Sequence, residues 1–438
     1  MTATETDTPA ALRGLATFPL LDALFGRRAR RFGLGMAIPD GPLAYASQHA
    51  PLTLSEAERT LLVLCGAGIS GWNFGIPHTA SGAPDSGCNY AHRFVGRTYP
   101  SGAAVHSSEL LITDDSGSYI TQFRDLDPTR QREYADAQDL DRLVEVARQQ
   151  IVRLAPGRVT IPHAPPHVSG HNLWVANRPG TTLFIPVVNL TEHALNSLAI
   201  GAQAGAITYD TEQGRLLGEP TPLIRRGLLN PATQRTLRDM EQALLTSAAV
   251  EAGVVAHNIV LTMQAIGLGG WLYSGINAPS LLGAYADQGI PGFGFRFATP
   301  PGATTPNPIG LDNYIEGLVP PYTVDMHTAV AQFTARKFGP GGTYDPSRPG
   351  PFSESAAIKG RVERYSPELQ TYLGSVAQDI YESYGKFPAT VPSIFANVYA
   401  QAHHLDLDFY DNFIGADAYL ETHAQHLAQW HGGADAAD

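Results

Sequence analysis

The stretch Ala249 to Ile266 constrains this chain more than any other: it is apolar on nearly every face and runs into Gly267-Leu268-Gly269-Gly270. A helix on the rim of a globular protein carries one apolar stripe, so a helix with no polar face is buried on all sides or shared with a second subunit. The rest of the fold has to be arranged around it.

The surrounding elements are legible from local signals. Ser55 with Glu58 three residues on forms a capping box, and Leu61, Leu62, Leu64 and Cys65 supply the buried side of a helix stopped by Gly66 and Gly68. Leu110-Leu111-Ile112-Thr113 and Tyr119-Ile120-Thr121-Gln122-Phe123 flank Asp114-Asp115-Ser116-Gly117, which predicts a hairpin over Glu109 to Phe123. A helix is expected from about Leu140 to Leu154, and a buried strand at Thr182 to Val188, because that run is short and β-branched. Asn230-Pro231 reads as the cap and first turn of another helix. Ser366-Pro367-Glu368 opens a further one, with Leu369, Tyr372, Leu373, Val376 and Ile380 on one face and Gly385 as its stop. Strands are few and helices many, which indicates an α+β fold on a small sheet. The texture shifts beyond Asp287, where Pro and Gly crowd 289–308 and 339–351. The expected organisation is a flexible tail over 1–20, one unit over 21–286 and a mainly helical extension over 287–438.

Composition closes off some functions. Forty-one acids against 29 bases give a net charge of -12, which repels nucleic acid. Two cysteines in 438 residues fit a reducing compartment, and the first ten residues have no targeting pattern, so the cytoplasm is the expected location. No uninterrupted apolar run approaches the roughly 18 residues needed to span a bilayer, so no membrane is expected as a partner.

Three segments carry chemistry. Arg27-Arg28-Ala29-Arg30-Arg31-Phe32 is too compact for a nucleic-acid face and well sized for one phosphate, which planar guanidinium forks grip in pairs. Arg97 to Leu110 contains Pro100-Ser101-Gly102, a rigid bend with accessible backbone groups suited to the edge of a flat ring. Gly267 to Gly275 follows the apolar helix, and its glycines let the main chain lie against a ligand. Taken singly, each is also what a basic turn, a plain turn or a helix end looks like. The 70–97 loop is long enough to border a site, and His78, Tyr90 and His92 in it are candidate proton donors, although no catalytic residue is assigned.

In this order the three segments resemble the nitroreductase superfamily of FMN enzymes, particularly its azoline-oxidising dehydrogenases. Arg27 to Phe32 looks like that family's Arg-Arg-Ser-x-Arg-x-Phe segment with Ala29 in place of Ser, and Leu54-Ser55-Glu56 through Gly68-Ile69 resembles its Leu-Ser-Glu-Glu helix. Arg97 to Leu110 resembles the segment along the flavin, with Ser107 where Pro is usual, and Ala252 to Gly270, including Asn258, resembles the central helix and its glycine end. The resemblance covers about Leu21 to Gly283. It implies a small central sheet surrounded by helices, a homodimer with FMN at the interface, and NAD(P)H as reductant of a flavin that acts on a small organic substrate. It further implies that Arg27, Arg28 and Arg31 bind phosphate and ribityl or ring oxygens, that Pro100, Ser101 and Gly102 flank the ring, and that Gly269, Ser274 and Gly275 approach it. A dehydrogenase of a biosynthetic intermediate using no nicotinamide, and a flavin-binding relative without turnover, remain alternatives.

His403, His404, His423, His426 and His431 crowd the last 36 residues. His423 and His426, at i and i+3, offer a zinc- or iron-like donor set with His403 or Asp406. The spacing matches no metal signature, and Tyr410, Phe413, Tyr419 and Trp430 interleave it, so packed imidazoles are expected and no metal.

Overall fold

The computed structural model describes residues 10–78, 88–130, 139–300, 303 and 305–431. Its frame is an antiparallel sheet of seven strands: β1 (Ser108–Asp114), β2 (Gly117–Thr121), β3 (Ile151–Pro156), β4 (Thr182–Asn189), β5 (Gly269–Tyr273), β6 (Ile394–Phe395) and β7 (Tyr399–His403). The order is β5-β7-β4-β1-β2-β3, with β6 also paired to β4. β1 and β2 form the expected hairpin, and β4 is the expected buried strand. Successive residues of a strand face opposite sides. Leu110, Ile112 and Phe184 therefore enter one core, while Leu111, Leu183, Ile185 and Val187 enter another.

The first core is covered by helices: α2 (Glu56–Ala67), α3 (Asp139–Gln149) and the 30-residue α5 (Leu237–Ile266). The second is covered mostly by irregular chain through Phe32, Val168, Val175 and Phe293. A third, helical core joins α4 (Leu190–Gln203), α6 (Met326–Phe338) and α7 (Pro367–Tyr384). Two further helices, α1 (Leu20–Gly26) and α8 (Glu421–Trp430), pack against α5.

Local signals performed as physics requires. The Ser55–Glu58 capping box is formed in both directions, Ser366 caps α7, and Gly267 and Gly385 end their helices in the left-handed conformation. Several expectations are corrected. The helix expected to reach Leu154 ends at Gln149, and the chain turns into β3, because pairing with β2 satisfies its backbone. Asn230-Pro231 does not start a helix; Gln234–Thr236 forms a short strand first, and Thr236 caps α5. Ala10–Thr17 is helical and rests Leu15 and Ala16 on the core, although the tail was expected to run to residue 20; residues 1–9 lie outside the described residues. The 70–97 segment is closed at its base by Ile69–Trp72 pairing with Val95–Arg97, and its residues 79–87 are likewise outside.

The largest correction concerns the expected division at 286/287. β7, near the C-terminus, sits between β5 and β4, hydrogen-bonded to both, so the central sheet is completed from beyond that division. The regular structure after 287 is mostly helical, with a small sheet of Arg296–Phe297, Pro308–Leu311 and Ile315–Glu316 added to it. By length and composition α5 is long and apolar enough to cross a membrane, with mean hydropathy 1.5, although Glu251, Asn258 and Gln264 break it up so that it holds no uninterrupted apolar run of about 18 residues. The helix crosses the sheet, and its apolar character is not buried all round: Ala243, Thr246, Ala249, Val250 and His257 form a stripe facing solvent.

Candidate functional site

α1 ends at Gly26, and the arginine segment that follows is split by its surroundings. Arg27 and Arg28 are exposed, the latter donating from Nη1 to Phe25 O at 2.7 Å and Arg27 O at 2.9 Å. Arg30 is buried and structural: it donates to Gln264 Oε1 at 2.7 Å and Ala418 O at 2.8 Å, and its backbone bridges Gly270. Burial pushes its guanidinium down to about 10. Arg31 is half-buried between the rings of Trp174 and Trp271, 5.4 and 5.0 Å from their centres. Its Nη2 donates to Asn172 Oδ1 at 2.6 Å, and its Nε is buried with no hydrogen-bond partner among the described residues. Burial also lowers its pKa, opposed by the nearby phenols of Tyr273 and Tyr410.

The Gly267–Gly275 segment lies beside it. The edge of β5 carries Trp271 to Arg31, and Asn172 touches both Arg31 and Gly275. A Cβ on Gly275 would stand 2.1 Å from Asn172 Nδ2, and one on Gly269 would stand 2.1 Å from a Leu405 methyl, so side chains of this chain already occupy the space those two glycines leave. Ser274 is exposed. The structure thus brings two of the three segments together around Arg31.

It does not bring the third. Ser101 donates to Glu251 Oε1 and accepts from His106 N at 2.9 Å, while Gly102 lies against Ser247 and Pro100 is exposed. Glu251 also accepts from Ser108 Oγ at 2.6 Å and lies 3.1 Å from His193 Nε2. Burial would raise the Glu251 carboxyl, but His193 and the serine hydroxyls outweigh it and hold it below the usual carboxylate range. Glu251 and Gln264 are 13 residues apart on α5, which at 3.6 residues per turn is about 20 Å of rise and about 140° of rotation. The Arg30–Gln264 and Ser101–Glu251 contacts are therefore on nearly opposite faces of one helix.

The proton-donor candidates are dispersed. His78 is exposed, and Tyr90 Oη accepts from Ile76 N at 3.2 Å. His92 is stacked on Phe333, lies 3.4 Å from Glu192, and is pushed down to about 3 by burial, which keeps it neutral near pH 7. It lines a cavity of about 500 Å³ with Trp72, Arg93, Arg124, Arg336 and Lys359, and no residue of the three segments is part of that lining. Asn172, Trp174 and Trp271 were missed by the sequence reading; Trp271 stood inside a quoted segment, but nothing local marks Asn172 or Trp174.

The C-terminal histidines also sort differently from their spacing. His423 accepts from Leu420 N through Nδ1 at 3.1 Å, Asp406 caps the helix after it, and His403 packs beside Gly33 and Gly269. The donor set that spacing offered is not assembled. Instead His404, His426 and His431 meet around Glu58 of α2.

No family model and no curated protein matches the chain. Among solved structures it is similar to a protein of Ralstonia eutropha JMP134 provisionally described as a nitroreductase, at 13% identity and a TM-score of 0.27, over 59% of this chain and 71% of that one. A likeness that loose carries no argument about fold or activity.

Proposed function

We propose that this protein is an FMN-dependent oxidoreductase whose flavin site is completed by two copies of the chain. The observation that carries the reading is the Arg31 site: a half-buried guanidinium with an unpartnered N–H, held between two indoles, with two exposed arginines within four residues. Such a site suits a ligand that is both flat and anionic, since the rings offer stacking surface and the guanidinium groups offer paired donors to phosphate. FMN, when bound, supplies the hydride chemistry. Arg27 and Arg28 would grip its phosphate, Arg31 would place a positive charge beside the ring system, and the Trp174 and Trp271 walls would exclude water.

The distant Pro100-Ser101-Gly102 segment supports a dimeric site rather than opposing an FMN site. One flavin cannot contact both faces of α5 in the same chain. A second copy, docked on the solvent-facing stripe of α5, would supply its own 100–102 segment. The exposed Leu20, Leu21, Leu24 and Phe25 of α1, 42 to 76% accessible and immediately before the arginines, are a second apolar patch for such a partner to cover.

The test is the visible spectrum of the purified protein, mass spectrometry of the cofactor released on denaturation, and mass in solution. FMN and a dimer are expected; FAD, or no flavin after reconstitution, refutes the reading. Anaerobic mixing with NADH and NADPH then identifies the reductant, and a flavin that neither bleaches points to a dehydrogenase that takes electrons from its own substrate.

A further inference from the structure

We propose that Glu58, His404, His426 and His431 form a closed site for one zinc-class divalent ion that fastens the C-terminal helix to the core. One ligand atom from each of the four lies within 4.8 Å of all the others. His426 Nε2 and His431 Nε2 stand 2.9 and 3.1 Å from Glu58 Oε1, and His404 Nδ1 stands 3.0 Å from His426 Nε2. Donors on a tetrahedral zinc ion with bonds of about 2.0–2.1 Å are about 3.3 Å apart, so small side-chain shifts complete the cage.

The outer contacts orient these donors inward. His426 Nδ1 donates to Ile266 O at 2.5 Å, an assignment fixed by the carbonyl, which can only accept. In the neutral ring this leaves the Nε2 lone pair facing a carboxylate oxygen at 2.9 Å, an arrangement that needs a cation or a proton between the two atoms. Glu58 Oε2 is engaged separately, accepting from Ser55 N at 2.6 Å in the capping box of α2, so only Oε1 is turned to the imidazoles. A carbonyl behind the histidine and a backbone N–H behind the carboxylate are the outer partners that metal ligands characteristically have.

Three imidazoles and one carboxylate make a borderline donor set suited to zinc. All four ligands come from the protein, and three of them are buried, which marks a structural rather than a catalytic ion. The ion would join α2, the residue following β7, α8 and the cap of α8. His404 O accepts from Leu34 N at 3.0 Å, so the same ion would brace the chain leaving the arginine segment from behind. This inference is independent of the flavin reading.

The experiment uses the tag-free full-length chain, stripped with EDTA, reloaded with zinc, desalted and measured for metal by mass spectrometry. About one zinc per chain should be retained, with a thermal midpoint several degrees above that of the stripped protein, because a ligand that binds only the folded state stabilises it. His404→Ala and His431→Ala should each fall well below one, while His49→Ala, which removes a member of the separate and mostly exposed His49, Asp406 and Asp408 group, should keep full stoichiometry. Cobalt in the unaltered protein should give the intense visible bands of a tetrahedral site, a readout that requires no variant to fold. Folded wild-type protein that retains neither zinc nor cobalt, cobalt bands that are weak and octahedral, or full zinc content in both ligand variants would overturn the proposal and leave the cluster as a protonated Glu–His network.

Discussion

The two faces of α5 hold the same kinds of residue in opposite conditions. Around Glu251 the interior is closed: Ser101, Ser108 and His193 surround one carboxylate that is fully buried. Near the C-terminal end, Arg31 has one side-chain partner, two indole walls and a spare N–H. The difference teaches that a serine in a Pro-Ser-Gly bend and an arginine in a basic run, equally suggestive as sequence, divide into a group already satisfied within the chain and one still able to bind. Stability should therefore depend on the first face, which leaves only exposed Pro100 and Gly102 for a partner's flavin, and ligand affinity mainly on the second.

The hardest test of that division is Glu251→Leu. It leaves buried hydroxyls and an imidazole without their acceptor, and breaking such a network costs about 3 kcal/mol or more. Urea unfolding should show a loss of that size, and a loss below about 1 kcal/mol would mean that the face is not closed. Next in size is Val250→Asp, which puts a charge in the exposed stripe of α5, where Val250 is 50% accessible. It should weaken self-association by roughly a hundredfold, about 2.7 kcal/mol, and release flavin with it, while the monomer keeps its unfolding midpoint. Sedimentation that shows an unchanged dimer would remove the stripe from the interface.

On the open face, Arg27→Ala, Arg28→Ala and Arg31→Ala should each weaken FMN binding about tenfold, near 1.4 kcal/mol, with little change in stability. Arg31→Ala alone should also lower the two-electron potential, by about 30 mV, an equivalent energy. Equal potentials in the three saturated variants would place Arg31 away from the ring. The smallest effect is in acid. Because the folded Glu251 pKa lies below its ordinary 4.5, its contribution is fully present above that pH and is lost as the pH falls below it. Glu251→Gln, which cannot titrate, should flatten the acid limb of stability against pH, and an unchanged limb would show that this carboxylate is not held ionised by folding.

Much of the frame was legible because its causes are local. A capping box joins residues three apart, a hairpin is set by its turn, and Ser366 and Gly385 mark the two ends of α7 through their own backbone preferences. The errors arose where a neighbour decided. Ile151–Pro156 is a strand because β2 is there to pair with it, and α5 has a solvent-facing stripe because nothing among the described residues covers that side. The site divides in the same way: the arginine cluster could be read directly, but its partition into exposed Arg27 and Arg28, buried Arg30 and half-buried Arg31 depends on Gln264, Ala418, Asn172 and Trp174.

By itself, then, the sequence determined the helices α2, α5 and α7, the hairpin, the central buried strand and the three segments rich in ligand-binding residue types, since periodicity and turn chemistry act over a few residues. Tertiary structure alone decided that β7 enters the sheet between β4 and β5, that the third segment lies across α5 from the other two, and that Glu58 meets His404, His426 and His431. Those contacts join positions more than a hundred residues apart, and no short-range pattern records them, because they exist only when burial of the whole core brings the elements into register.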